Sequence, residues 1–242
     1  MVIFLSSSPS GPLDKPNYDK VLDENNGFIE QLKTRWKQDM KGLLIAAYPN
    51  TYEDNDEQLD FFNTAFRNSG IPLSSFSFLD TRRSISKEEL HAYDMIMLAG
   101  GHIATQNAYF KSIHLKELLQ GYEGIVIGIS AGSMNCSKRV YVQPEEPGES
   151  SNDFPRFIEG LDLCDLNIIP HYQMIKGYEL DGRKLFDDVI FNDSYGEHFL
   201  VLEDGSYVII ENNKTIVYGK AYHLGNGSMH CICENNKSVR IQ

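Results

Sequence analysis

The sequence predicts an α/β protein with a mostly parallel sheet, helices on both faces and late antiparallel hairpins. Through the first 130 residues, short apolar runs alternate with amphipathic segments, which is the pattern of strand–helix–strand units. The last 45 residues instead hold short β-type runs joined by Asp204-Gly205 and Asn212-Asn213, which are hairpin turns. Between these regions an apolar run, Gly124 to Ile129, passes directly into the Gly-x-Ser-x-Gly segment Gly128 to Gly132. At 242 residues the chain is long enough for one sizeable core, so residues 1–242 are expected to form a single domain.

Val2–Leu5 reads as a first strand and Ser6–Pro16, rich in Ser, Pro and Gly, as a loop. Asn25–Met40 is expected to be helical, because Phe28, Ile29, Leu32 and Trp36 recur at helical spacing. Gly42–Ala47 is a buried strand. Asp56–Asn68 puts Leu59, Phe62, Ala65 and Phe66 on one helical face, and Gly70 then Pro72 stop it. Ser74–Leu79 reads as a strand, Lys87–His91 as a short helix, Met95–Ala99 as a strand and Ser112–Leu119 as a helix, before the strand that ends at the Gly-x-Ser-x-Gly turn. Tyr141–Pro155, with its Pro, Gly, Ser and acidic residues, reads as an extended surface loop. Leu163–Ile169 is a strand ending at Pro170-His171-Tyr172, and Tyr178–Ile190 is a helix. Phe199–Leu202, Tyr207–Glu211 and Thr215–Gly219 are short strands, and no internal repeat is evident.

Composition narrows the partners. With 22 Lys plus Arg against 34 Asp plus Glu, the formal charge of −12 repels phosphate backbones and anionic lipid, so neither nucleic acid nor a membrane is expected as a partner. The apolar opening Met1–Leu5 is too short and lacks the basic flank of a secretory signal, and no apolar run approaches the roughly 18 residues of a spanning helix. A cytoplasmic protein is the expectation. Four cysteines make neither a disulfide framework nor a zinc pattern, and Cys231-x-Cys233 reads as a strand pair with a structural role.

The chemistry concentrates at three strand ends, where open α/β sheets collect ligands. Ser130 occupies the position of a nucleophile elbow: a sharp strand-to-helix turn projects its Oγ above the sheet, and small residues at 128 and 132 let the backbone pass closely. The helix starting near Ala131 aims backbone N–H groups at the same point, which makes half of an oxyanion hole. Gly100-Gly101-His102, after the strand Met95–Ala99, is a turn able to present the second N–H. His171, at the end of an apolar run and stiffened by Pro170, is delivered to the same rim and is the candidate base; His102 is its rival by position. A base of this kind needs a carboxylate, for which Glu203 and Asp204 compete after the strand Phe199–Leu202. Strand alternation lets only one face the site; Asp204 is favoured, although Asp-Gly is also a common hairpin dipeptide.

These residues resemble a known family. Ala99-Gly100-Gly101, Gly128-Ile129-Ser130-Ala131-Gly132 and Asn167-Ile168-Ile169-Pro170-His171 occur in the order found in the aspartyl dipeptidase (dipeptidase E) family of serine peptidases, which also contains the cyanophycinases. The resemblance spans most of the chain. It implies the flavodoxin-like three-layer sandwich of class I glutamine amidotransferases, with serine where those enzymes have cysteine. It also implies Ser130 as nucleophile, His171 as base, the Gly101 and Ala131 N–H groups as oxyanion donors, and hydrolysis of small peptides without a cofactor or metal. The family's late Glu-Gly appears here as Asp204-Gly205. An acid shortly after the elbow, proposed for the triad in that family, has its counterpart in Glu145. His102 stands where the dipeptidase commonly has asparagine, in a loop bordering the substrate. If aspartyl peptides are the substrates, a local cation must overcome the net charge, and Lys138, Arg139 and Arg183 are the candidates. Two other functions fit part of the pattern: an α/β-hydrolase-type esterase, which runs Ser, acid, His and would draw on a late histidine, and a catalytically silent amidotransferase-like binding module. The oligomeric state is left open.

Overall fold

The computed structural model describes residues 1–12 and 15–241; Leu13 and Asp14, inside the expected 6–16 loop, and Gln242 lie outside the described residues. In chain order, β1 (Val2–Ser6) is followed by α1 (Phe28–Lys33) and β2 (Lys41–Ile45). Next come α2 (Tyr52–Asn68), β3 (Ser75–Leu79), α3 (Lys87–His91) and β4 (Met95–Leu98). Two helices, α4 (Ile103–Ser112) and α5 (Leu115–Leu118), lead to β5 (Ile125–Ile129) and then to the short α6 (Ala131–Met134). The middle of the chain holds β6 (Arg139–Tyr141), β7 (Phe157–Glu159), β8 (Ile168–Ile169), α7 (Tyr172–Ile175), β9 (Glu179–Leu180) and β10 (Arg183–Lys184). A π-helical segment, Leu185–Ile190, runs into α8 (Phe191–Asp193). Six strands close the chain: β11 (His198–Leu202), β12 (Tyr207–Glu211), β13 (Lys214–Tyr218), β14 (Ala221–Gly225), β15 (Ser228–Cys233) and β16 (Ser238–Ile241).

The principal sheet has eight strands in the order β16-β13-β12-β1-β5-β4-β2-β3. β1, β5, β4, β2 and β3 pair in parallel. β12, β13 and β16 add the antiparallel edge. Parallel strands covered on both faces must be apolar throughout, and every residue of β4, Met95 to Leu98, is completely buried. The segment order β3-β2-β4-β5 is that of flavodoxin-like sheets, with a switch point between β2 and β4. A second, four-stranded sheet runs β15-β14-β11-β8, and β8 is parallel to β11.

Two apolar clusters fill the molecule. The larger packs α1 and α2 against the principal sheet through Phe28, Leu32, Phe62 and Phe66. The smaller joins the helix after the elbow to the second sheet: Ala131 and Met134 of α6 share it with Ile169 of β8 and Phe199 and Val201 of β11. That contact fixes the position of the chain after β8 relative to the chain after β5. Among the described residues, no helix is long and apolar enough to cross a membrane.

Several expected elements are corrected. The helix anticipated over Asn25–Met40 is helical only at Phe28–Lys33, behind a 3-10 turn. Trp36 leaves the helical axis to stack on Phe66 at 5.5 Å and to donate to the Pro72 carbonyl at 3.3 Å, and Asp39 adopts a left-handed φ of 59°. Helix α2 begins one turn earlier than its apolar face suggests. The expected helix Ser112–Leu119 is broken at His114, φ 54°, and α4 lies ahead of the break; because α4 buries the polar Gln106 and Asn107, it shows no amphipathic stripe. In Leu163–Ile169 only Ile168–Ile169 forms a strand. Tyr178–Ile190 is helical only in its second half: Asp181 and Gly182 turn β9 into β10, and the apolar Leu185, Phe186, Val189 and Ile190 lie in a π-helical segment, Leu185–Ile190. The presumed surface loop Tyr141–Pro155 is buried at its start, from Tyr141 to Pro144.

Candidate active site

Five strand ends meet on one rim. Ser130 follows β5 with φ 49° and ψ −112°, a conformation strained for any residue bearing a Cβ, and its N–H donates to the Ser6 carbonyl at 3.0 Å. A Cβ at residue 128 would stand 2.6 Å from the Ser133 Cα, and one at 132 would stand 2.3 Å from the Leu98 carbonyl oxygen. Glycine at both positions is what lets α6 press onto the strands and hold the turn tight.

His171 follows β8 and Pro170 in a left-handed conformation, φ 58°, at the start of α7. Its Nε2 lies 2.9 Å from Ser130 Oγ and its Nδ1 lies 2.6 Å from Asp204 Oδ1. Asp204, just past β11, has a side chain only 1% exposed, and its N–H donates to Gln173 Oε1 at 3.1 Å. Ser7, at the end of β1, completes the cluster: its hydroxyl donates to Asp204 Oδ1 at 2.6 Å and accepts the His171 N–H at 2.9 Å. A carboxylate accepts only, so Nδ1 bears the imidazole proton and Nε2 is left to accept the Ser130 hydroxyl.

The turn after β4 lies beside Ser130, since a Cβ on Gly100 would stand 3.5 Å from the Ser130 Cβ. A Cβ on Gly101 would collide with Ala47 and the Tyr48 ring, at 2.6 and 2.8 Å. Among the described residues, neither the Gly101 nor the Ala131 N–H is taken by a backbone acceptor. A cavity of about 390 Å³ opens in front of Ser130 and His171.

The other sequence candidates go elsewhere. Glu203 accepts from Tyr222 Oη at 2.9 Å, on the face opposite to Asp204. Glu145 accepts the Ile103 N–H at 3.1 Å at the start of α4; burial pushes its pKa up to about 7, against smaller opposing effects of that hydrogen bond and of His102. Arg139 forms a two-pronged pair with Glu197 at 2.7 and 2.8 Å and stacks 3.5 Å above the Phe157 ring. Arg183 donates to the Ser150 and Asp188 carbonyls at 2.6 and 2.8 Å. Lys138 is exposed. None of these cations lines the cavity.

His102 caps α4. Its Nδ1 accepts the Thr105 N–H at 3.3 Å, so Nε2 carries the proton that faces Glu149 Oε1 at 3.2 Å. The other Glu149 oxygen accepts the Glu145 and Glu146 N–H groups at 2.9 and 3.1 Å. Among the described residues, His102, Glu146 and Glu149 are the one group whose donor atoms lie close enough together, within 4.8 Å, to hold a metal ion. With His102 and Glu149 committed to each other and to backbone, the group works as an internal clamp on the 145–149 loop.

Sequence reasoning missed Ser7 and Gln173. Ser7 had one available signal, its position directly after a strand of the central sheet; Gln173 had none.

The fold is the flavodoxin-like sandwich of class I glutamine amidotransferases, with serine at the elbow. The model of peptidase family S51 matches residues 23–218, and the chain belongs to that family, the dipeptidase E family of serine peptidases. Among solved structures, a peptidase from an acI-B1 Actinobacterium superposes with a TM-score of 0.62 at 15% identity, covering 99% of this chain and 96% of that one. A candidate peptidase E protein from Listeria monocytogenes EGD-e gives a TM-score of 0.58 at 16% identity, covering 89% and 96%. At these identities the likeness is one of fold. No curated protein matches the chain.

Proposed function

We propose that this protein is a serine peptidase that hydrolyses small peptides through Ser130, His171 and Asp204. The observation that carries the proposal is the hydrogen-bonded relay in which His171 stands 2.9 Å from Ser130 Oγ and 2.6 Å from Asp204 Oδ1. Ser130 Oγ attacks the scissile carbonyl carbon as its proton passes to His171 Nε2. Asp204 offsets the imidazolium charge, and the Gly101 and Ala131 N–H groups receive the oxyanion. Collapse of the tetrahedral intermediate breaks the C–N bond, and Nε2–H supplies the proton that the departing amine needs. Water, deprotonated by His171, then attacks the acyl ester and frees the acid and Ser130.

The order Ser, His, acid argues against the α/β-hydrolase esterase, in which the acid precedes the histidine. The late histidines that could supply that order are engaged with one another: His198 Nδ1 lies 3.1 Å from His223 Nε2, and the His230 ring lies 5.0 Å from the His223 ring. A fluorophosphonate probe tests the proposal directly. It is expected to label Ser130, and Ser130→Ala is expected to abolish labelling and peptide hydrolysis while the folded protein persists by circular dichroism. Labelling that survives the substitution, or a wild-type protein that the probe never labels, overturns the nucleophile and with it the active-enzyme reading.

A further inference from the structure

The cavity in front of Ser130 has walls unlike those an aspartyl peptide needs. It lies between the Gly100-Gly101 turn, Ser130 and helix α2, directly beside the hydroxyl that attacks in the reading above. Its volume, about 390 Å³, is at the small end for a ligand site and admits one side chain with its backbone. Phe61 and Phe62 from α2 and Ile129 from β5 form its apolar wall, while Gln58 and the hydroxyls of Ser8 and Ser10 supply neutral polar groups. The two rings meet edge to face, with centroids 5.2 Å apart. Among the described residues lining it, none is Lys, Arg, Asp or Glu, and the only titratable side chain, His171, is held by Asp204 and Ser130.

The rim points the same way. Phe61 also borders the adjoining groove of Asp56, Glu57, Asp60 and Lys20, where the cations are already engaged: Lys20 pairs with Asp60 at 3.0 Å, and Arg82 holds Asp56 at 2.6 Å. A substrate carboxylate entering the cavity would lose its water and find no cation among the described residues that line it.

We propose, resting on the serine-peptidase reading above, that the cavity is a specificity pocket for an uncharged apolar side chain and rejects aspartate, with Phe61 as the specificity-determining residue. Hydrophobic pockets discriminate by area, so a leucyl or phenylalanyl residue is expected to exceed aspartyl by about 100-fold in kcat/KM and alanyl by about tenfold. Phe61 is mostly buried and packs at the edge of the larger apolar cluster, so Phe61→Ala is first checked for folding by circular dichroism; in the folded variant leucyl cleavage should fall more than alanyl cleavage, bringing the Leu/Ala ratio towards unity. Gln58→Arg, on the same face of α2, places a cation in the wall and should raise aspartyl relative to leucyl cleavage about tenfold.

The test uses the full chain, a set of dipeptides Leu-Leu, Phe-Leu, Ala-Leu and Asp-Leu, and two diphenyl aminophosphonate probes bearing a leucine or an aspartate side chain. The probes report side-chain preference at Ser130 even where dipeptide turnover is slow. Faster cleavage of Leu-Leu and faster labelling by the leucine probe support the proposal. Equal or faster reaction of the aspartyl compounds, or a Leu/Ala ratio unmoved by Phe61→Ala, overturns the pocket assignment while Ser130 labelling keeps the peptidase mechanism. No labelling by either probe or by a fluorophosphonate removes the mechanism itself.

Discussion

Two histidine–carboxylate pairs sit near the same rim, and they are wired in opposite senses. His171 gives its Nδ1 proton to Asp204 and turns a bare Nε2 towards Ser130. His102 spends its Nδ1 lone pair on the Thr105 N–H at the start of α4 and gives its Nε2 proton to Glu149. A general base needs a lone pair aimed at the proton it removes, and only the first pair leaves one. A histidine beside an acid is therefore no evidence of catalysis; the partner of the other ring nitrogen decides. The carboxylates differ as well. Asp204 stands on a strand end with two further hydrogen bonds fixing it, whereas Glu149 belongs to a loop that it helps to tie down.

The strongest way to break this comparison is to reverse the tautomer at His171. Asn at residue 204 keeps the shape of the side chain but allows its amide to donate to Nδ1, which moves the ring proton to Nε2, against the serine. Asp204→Asn is expected to lower kcat by about 10⁴ with KM little changed, read by steady-state hydrolysis of a neutral dipeptide. Glu203→Gln, in the neighbouring register, is expected to leave kcat within a few-fold, because its carboxylate faces Tyr222 instead. A large loss at 203 and none at 204 would transfer the role across the strand.

The second pair should fail differently. Glu149→Gln weakens a charge-assisted contact to His102 and two to backbone N–H groups, a loss of about 1–3 kcal/mol in stability. For a chain of this size that corresponds to a fall in Tm of about 2–4 °C per kcal/mol. Turnover by the folded variant is expected to stay within about tenfold of wild type. Thermal unfolding followed by kinetics below the transition separates the two, and a kcat loss comparable to that of Asp204→Asn would show that His102 also handles protons.

How much of this was legible in the sequence follows the physics of each region. The parallel strands announce themselves because burial on both faces leaves nothing but apolar residues, and the Gly-x-Ser-x-Gly turn because its close packing tolerates almost no other residues at 128 and 132. The convergence of residues 130, 171 and 204 was open to inference from strand ends, since each follows a strand. Ser7 was not: Ser6-Ser7-Ser8 has no pattern, and its role depends on where three other segments arrive. The stretch from 163 to 190 is hard to read because its elements are two to four residues long or π-helical, and so do not show the periodicity that betrays a helix or strand. His102 was placed at the oxyanion turn, but whether it points at substrate or caps a helix depends on α4, whose buried Gln106 and Asn107 hide it from hydropathy.

The smallest expected effect lies at Glu145, beside the second pair: its carboxylate accepts from the Ile103 N–H at the start of α4, and its own N–H donates to Glu149. Burial raises its pKa from 4.5 to about 7, so between those values the folded chain binds a proton that the unfolded chain releases. Stability from this group is then complete below about pH 4.5 and is lost as the pH rises through about 7, because the folded state holds more protons across that window. Gln at 145 keeps an oxygen for the Ile103 N–H and never ionises. Glu145→Gln should match the wild-type stability near pH 4.5 and exceed it increasingly towards about pH 7.5, with the kcat–pH profile unchanged in shape. Urea midpoints for both proteins across this range provide the measurement. Parallel curves would show that the carboxylate ionises freely, and a shifted kcat–pH profile would place Glu145 within reach of His171 and erase the division between the two pairs.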